Sequence, residues 1–120
     1  MSNQPNTKYD LEERTAKFGE DIIELCKQLP VNHITRSLID QLIRSATSIG
    51  ANYMEAINGS SKRDFRNKIY ISKKECQETM HWLRMLAKAI PEKQVIFRVL
   101  WKEAHELTLI FQTIGSSTVI

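Results

Sequence analysis

The chain predicts an all-α fold, an antiparallel up-and-down bundle of four helices, on three observations. Only four Gly and three Pro occur in 120 residues, so breakers are few. Apolar residues recur at spacings of three and four rather than two. Pro30, Asn58-Gly59 and Pro91 divide that periodicity into four stretches of helical length joined by short connections. With 42% hydrophobic residues the chain is long enough for one core and too short for two. The bundle spans residues 9–114, between a polar tail over 1–8 and a patternless end over 115–120.

Asp10 can cap the first helix, with Glu13 three residues on as its reciprocal partner. Leu11, Thr15, Phe18, Ile22, Leu25 and Leu29 then make an inward seam that Pro30 ends. Asn32 can cap the second helix, which runs to about Ile57 and exits through a left-handed turn at Asn58-Gly59. Its core face reads Leu38, Leu42, Ala46, Ile49, Tyr53 and Ala56. Ser60 or Ser61 caps the third helix, Asp64 suits its amino end, and it lasts to Ala89. Phe65, Ile69, Cys76, Met80, Leu83 and Ala87 mark its core stripe. Pro91 fits the first turn of the fourth helix, where Ile96, Leu100, Leu107, Phe111 and Ile114 point inward until Gly115 stops it. Phe97, Trp101 and Ala104 lie beside that stripe. Glu103 falls where the heptad predicts an apolar residue; if buried it needs a partner, for which Arg44 is one candidate.

The second and third helices carry more surface than one core requires. Arg44, Ser48, Asn52 and Glu55 fall opposite the core face of the second helix. Ser48, Gly50, Ala51 and Asn52 are small or poor helix formers that let another backbone approach, where a solvated face would carry Lys, Glu and Gln. On the third helix Ile71, Glu75, Glu78 and Trp82 form a row roughly 100° from the core stripe. Two readings stand: a broad bundle face with Trp82 at its margin, or a seam between subunits. In the second, Glu75 or Glu78 pairs with Arg44 of its own or a neighbouring chain, because a planar guanidinium binds a carboxylate through two hydrogen bonds.

The run RSATSIGANYMEA over 44–56, followed by SSKRDFRNKIYISKKECQETMHWL, resembles four-helix-bundle proteins related to those encoded in intervening sequences of bacterial 23S ribosomal RNA genes. The likeness extends from about Tyr9 to Ile114; its most specific parts are Arg44 to Ala56, Asp64-Phe65 and Glu75-x-x-Glu78-x-x-x-Trp82-Leu83. The resemblance implies a helical bundle that assembles with itself into a ring, often a pentamer. More distantly the chain is similar to the accessory protein of diversity-generating retroelements, a basic ring that works with nucleic acid and a reverse transcriptase. Neither relation implies an enzyme activity.

Charge is concentrated in the third helix. The whole chain has a net charge of +3, yet residues 61–90 hold eight Lys and Arg against three Asp and Glu. On the helical wheel Lys62, Arg63, Arg66, Lys73, Lys74 and Arg84 cluster within about 120°, with Tyr70, Gln77 and His81 interleaved, on a face that points away from the Trp82 row. Cations so arranged suit a phosphate backbone, and Tyr70 or His81 suits stacking on an unpaired base. A protein-protein scaffold, in which Trp101 and Phe97 supply the apolar contact and the basic face only solubilises, is the alternative.

No nucleophile-base order, phosphate-cradling glycine loop or metal-like histidine pair is legible, and the reading is a non-enzyme with no cofactor. Glu75 and Glu78 are three apart, but di-metal bundles use Glu-x-x-His. Cys26 and Cys76 read as reduced core thiols. Met1 to Lys8 lacks a secretion pattern, and no apolar run approaches the roughly 20 residues that span a bilayer. A cytoplasmic protein with no membrane role is expected.

Overall fold

Asp10 opens the first helix by accepting a hydrogen bond from the backbone N–H of Glu13 at 3.2 Å, the cap that the sequence predicts. A computed structural model describes residues 10–120; the expected tail over 1–8 and Tyr9 lie outside the described residues. Four helices, and no strand among the described residues, make up the structure: α1 (Leu11–Cys26), α2 (Thr35–Ile57), α3 (Lys62–Ala89) and α4 (Gln94–Ser117). Asn32 accepts from the N–H groups of Ile34 and Thr35, while Thr35 Oγ1 accepts from Asn32 N, a reciprocal cap for α2. Ser61 caps α3 through the N–H of Asp64 at 3.0 Å.

The core forms where the four apolar faces meet. Phe18, Ile22, Leu42, Ile49, Ile69, Leu83, Leu107 and Phe111 are all sealed from solvent or nearly so. Every inward position expected on the first helix is buried. Between α2 and α3 the seam is small and polar. Thr79 Oγ1 donates to Ser45 Oγ at 2.9 Å, and Ser72 Oγ donates to the Ile49 carbonyl at 3.1 Å. All three hydroxyl residues have zero exposure and were absent from the apolar stripes read in the sequence. Ser45 with Thr79, Ile49 with Ser72 and Glu55 with Lys68 give position numbers that rise along α2 as they fall along α3.

Four expectations are corrected. Ile96 is 38% exposed and Phe97 is buried at 1%, so the α4 stripe runs Phe97, Leu100, Ala104, Leu107, Phe111. With Ala104 at the inward position, Glu103 sits on the flank of the helix, and its partner is Arg14, not Arg44. Arg14 Nε and Nη2 donate to the two Glu103 oxygens, each at 2.8 Å, and Nη2 reaches Glu106 at 3.0 Å. The left-handed exit at Asn58-Gly59 is not formed, because Asn58 has φ −101°, Gly59 N–H closes on the Ala56 carbonyl, and Asn58 Nδ2 donates to the Met54 carbonyl. Gly115 does not stop α4, which continues to Ser117. Its role is close approach: a Cβ there would lie 2.7 Å from the Tyr70 ring.

Helix α3 packs along both α2 and α4, and α1 packs on α2. Helices α1 and α4 meet chiefly through Arg14, leaving between them an open groove of about 1190 Å³ whose walls include Phe18, Tyr53, Leu100 and Ile110. Glycine permits the α1–α2 contact at Gly50, where a Cβ would come within 3.1 Å of Thr15 Oγ1.

Thr79→Val, which leaves Ser45 short of a donor in a dry seam, will lower stability to urea by about 1 kcal/mol. The Ser45→Ala/Thr79→Val double variant will recover part of that loss. Additive losses in the cycle would show that the two hydroxyls do not act as a pair.

Candidate nucleic-acid interface

Helix α3 extends about 42 Å at 1.5 Å per residue, and its two flanks differ in chemistry. The flank beside α4 carries the cations. Lys62, Arg63, Lys74 and Arg84 are exposed, whereas Arg66 and Lys73 are half-buried because they lean on Tyr70. The Arg66 guanidinium lies 5.6 Å from the Tyr70 ring centroid and the Lys73 ammonium 5.9 Å, both within cation–π range. Lys73 Nζ donates to Gln112 Oε1 at 2.6 Å, and Gln112 Nε2 donates to Ser116 Oγ at 2.8 Å, which ties this part of the face to the end of α4.

Tyr70 therefore holds two cations as well as lying on the basic face. Hydrogen bonds with Arg66 and Ser116, together with the positive charge of Arg66 and Lys73, pull its phenol below the usual tyrosine range. The base-stacking role expected of Tyr70 meets a ring already in contact with Arg66 and Lys73. His81, the other stacking candidate, is exposed and stands edge-on to Trp82 at 4.8 Å. Among the described residues none of Lys62, Arg63, Arg66, Lys73, Lys74 and Arg84 is ion-paired, whereas Arg14, Lys17, Lys27, Arg44 and Lys68 all are.

The flank beside α2 carries the residues expected at a subunit seam. Arg44 Nη2 reaches Glu78 at 2.7 Å and Glu75 at 3.5 Å within the same chain. Ser48 Oγ donates to the Arg44 carbonyl and Asn52 Nδ2 to the Ser48 carbonyl, so both are satisfied on their own helix. Glu55 lies farther along and pairs with Lys68 at 2.6 Å. Ile71 is 37% exposed, and the half-buried Trp82 has an indole N–H sealed from solvent without an acceptor.

The sequence pattern did not single out Arg98 and Lys102, which α4 brings beside Arg84; their spacing of four around Trp101 was the available signal. Trp101 stacks on His105 with ring centroids 5.2 Å apart and planes 18° from parallel. Burial raises the thiol of Cys26 to about 11 and that of Cys76 to about 12, so both are protonated at neutral pH. Among the described residues no three His, Cys, Asp or Glu side chains cluster in a way that would hold a metal ion. Among the described residues no helix is long and apolar enough to cross a membrane.

A four-helix protein whose longest helix bears an unpaired cationic flank defines the class. The chain belongs to the 23S rRNA-intervening sequence protein family, whose model matches residues 7–113. Its structure is similar to the 1.70 Å crystal structure of a protein of unknown function from the S23 ribosomal protein family of Bacteroides thetaiotaomicron VPI-5482. The two share 28% identity over 88% of this chain and 98% of that one, with a TM-score of 0.77. No curated protein matches the chain.

Tyr53 has the opposite surroundings to Tyr70: burial, then the carboxylates of Glu12 and Asp10, push its phenol up. Tyrosine-ring NMR across an alkaline titration will show Tyr70 ionising at lower pH than Tyr53, and Arg66→Gln will move only Tyr70 upward. The reverse order would mean that the cations do not hold the phenol.

Proposed function

We propose that this protein is a non-enzymatic, ring-forming bundle that binds RNA or DNA through the basic flank of α3. The observation that carries the reading is the division of its cations. Among the described residues five cations pair with carboxylates, and none of the five belongs to the basic flank of α3, whose six cations lie together on one helix face without such a partner. Such a flank gains from a polyanion because each phosphate contact releases condensed counterions, contributing about −0.9 to the slope of log affinity against log salt. A ring of subunits would repeat the flank and multiply that dependence. The reading takes the bundle as antiparallel, supported by the opposed numbering along α2 and α3, and takes the protein to work in the cytoplasm without a cofactor.

Support for self-association comes from the other flank of α3. Ile71 is exposed there beside Trp82, and Arg44, Glu75 and Glu78 can fix register where such a surface meets a second copy. The pentamer is what the family resemblance implies.

A protein-protein scaffold is the second reading, and the groove between α1 and α4 favours it. Its lining includes Leu11, Phe18 and Ile110, and Val99 and Leu109 are 56% and 54% exposed along it. The two readings differ in salt dependence, since apolar contacts do not weaken with salt as phosphate contacts do.

Replacing Arg66, Lys73 and Arg84 together by Glu will abolish binding to a mixed RNA and DNA pool at low salt while circular dichroism stays unchanged. Wild type will lose affinity steeply as salt rises; retained binding by the triple variant would leave the scaffold reading. Ile71→Lys will shift sedimentation toward smaller species without loss of helix. Sedimentation identical to that of wild type would remove this flank from the assembly.

A further inference from the structure

At the junction of α3 and α4 the side chains leave an open pocket of about 360 Å³, within the size range of small-molecule sites. Leu83 and Ala87 from α3 and Phe97 and Trp101 from α4 supply its apolar lining, with Leu83 and Phe97 buried at 1% each. The polar members are Arg84, Arg98, Lys102 and Gln94. No carboxylate lines it. Among the described residues none of the three cations is ion-paired, so their charge is directed to solvent or to a ligand.

An apolar floor rimmed by three cations selects a ligand with a flat, weakly polar body and attached negative charge. Trp101 already packs flat against one ring, the imidazole of His105. From Lys62 to Arg84 the basic flank runs about 33 Å along α3 and ends at this pocket, of which Arg84 is itself a member. A strand following the flank would reach the pocket with its phosphates on the cations and a base free to enter. An acidic aromatic peptide meets the pocket chemistry but gives no account of the cations that precede it along α3.

We propose that this pocket takes an unpaired nucleotide of a single strand, its base against Trp101, its flanking phosphates on Arg84, Arg98 and Lys102, and its edge within reach of Gln94. The proposal rests on the nucleic-acid reading of α3 and makes it more specific. A duplex keeps its bases in the stack and cannot fill the pocket, so the site gives a preference for single strands that phosphate contacts alone do not.

The test compares a labelled 12-nucleotide oligouridylate with an RNA duplex of equal length, by fluorescence anisotropy at fixed low salt, with intrinsic tryptophan emission followed in parallel. Trp101→Leu will weaken single-strand binding about tenfold, the size of one lost base-stacking contact, leave duplex binding unchanged, and remove most of the emission quenching. Arg98→Glu, at an exposed position, will give the same selective loss and carries the test should Trp101→Leu misfold. If both variants bind the single strand as wild type does while Lys73→Glu weakens both ligands, the pocket proposal is wrong and the basic flank stands. Equal losses for strand and duplex also overturn it. Failure of wild type to bind either ligand overturns the pocket and the nucleic-acid reading together. An acidic tryptophan-containing peptide that displaces the oligonucleotide at lower concentration than unlabelled oligouridylate would reassign the pocket to a protein partner.

Discussion

The buried seam of hydroxyls between α2 and α3 is the constraint from which the other arrangements follow. Ser45, Ser72 and Thr79 are small enough for the helices to lie close, and each donates a hydrogen bond inside the seam or to its own helix. A buried hydroxyl without a partner costs more than an apolar methyl, so the pairing defines one rotation of α3 about its axis rather than a range of them. Once that rotation is fixed, every other residue of α3 has an assigned direction. Glu75, Glu78 and Trp82 come out beside α2, and the cations come out beside α4.

The neighbouring helices respond to those two flanks differently. Beside α2, Arg44 neutralises the carboxylates within the chain, which leaves Ile71 and Trp82 as the unspent part of that surface. Beside α4 the cations are not neutralised. Tyr70 receives Arg66 and Lys73 on its ring instead, and it can do so because α4 presents Gly115 where any larger residue would meet the phenol. A cation held on an aromatic ring keeps its charge available, whereas one held on a carboxylate does not. The Gly115 approach thus belongs to the same design as the basic flank, on the other flank of α3 from the seam that set it.

The starts of the first three helices and most core faces were legible because they depend on local chemistry. Asp10, Asn32 and Ser61 cap as read, since a side-chain oxygen and its target N–H are only three residues apart. The inward face of the first helix was read correctly for the same reason, since its heptad is unbroken, although the helix itself ends at Cys26, before Leu29 and the expected stop at Pro30. What escaped depends on partners distant in sequence. Ser72 and Thr79 look like surface residues until α2 is placed against them. Gly115 reads as a helix stop until Tyr70 is found to need the space. Glu103 was recognised as misplaced in an apolar stripe, but Arg14, 89 residues away, is visible only in the fold. Reading Phe97 in place of Ile96 as the inward residue would have resolved Glu103 at once, because the corrected stripe passes through Ala104.

The basic flank and the α3–α4 junction differ in what they can offer a ligand. Lys62, Arg63 and Lys74 are exposed on long flexible stems, so on the proposed reading they would attract a polyanion without fixing its register. Arg66 and Lys73 are tethered through Tyr70 and Gln112, which limits where a phosphate can settle. At the junction a depression with apolar area joins the charge, because the short turn Pro91–Lys93 brings α4 against α3 and leaves Leu83 and Phe97 at its base. On the proposed reading, attraction, placement and shape selection would fall in sequence along one helix, the last of them at the depression formed where α4 begins and α3 ends.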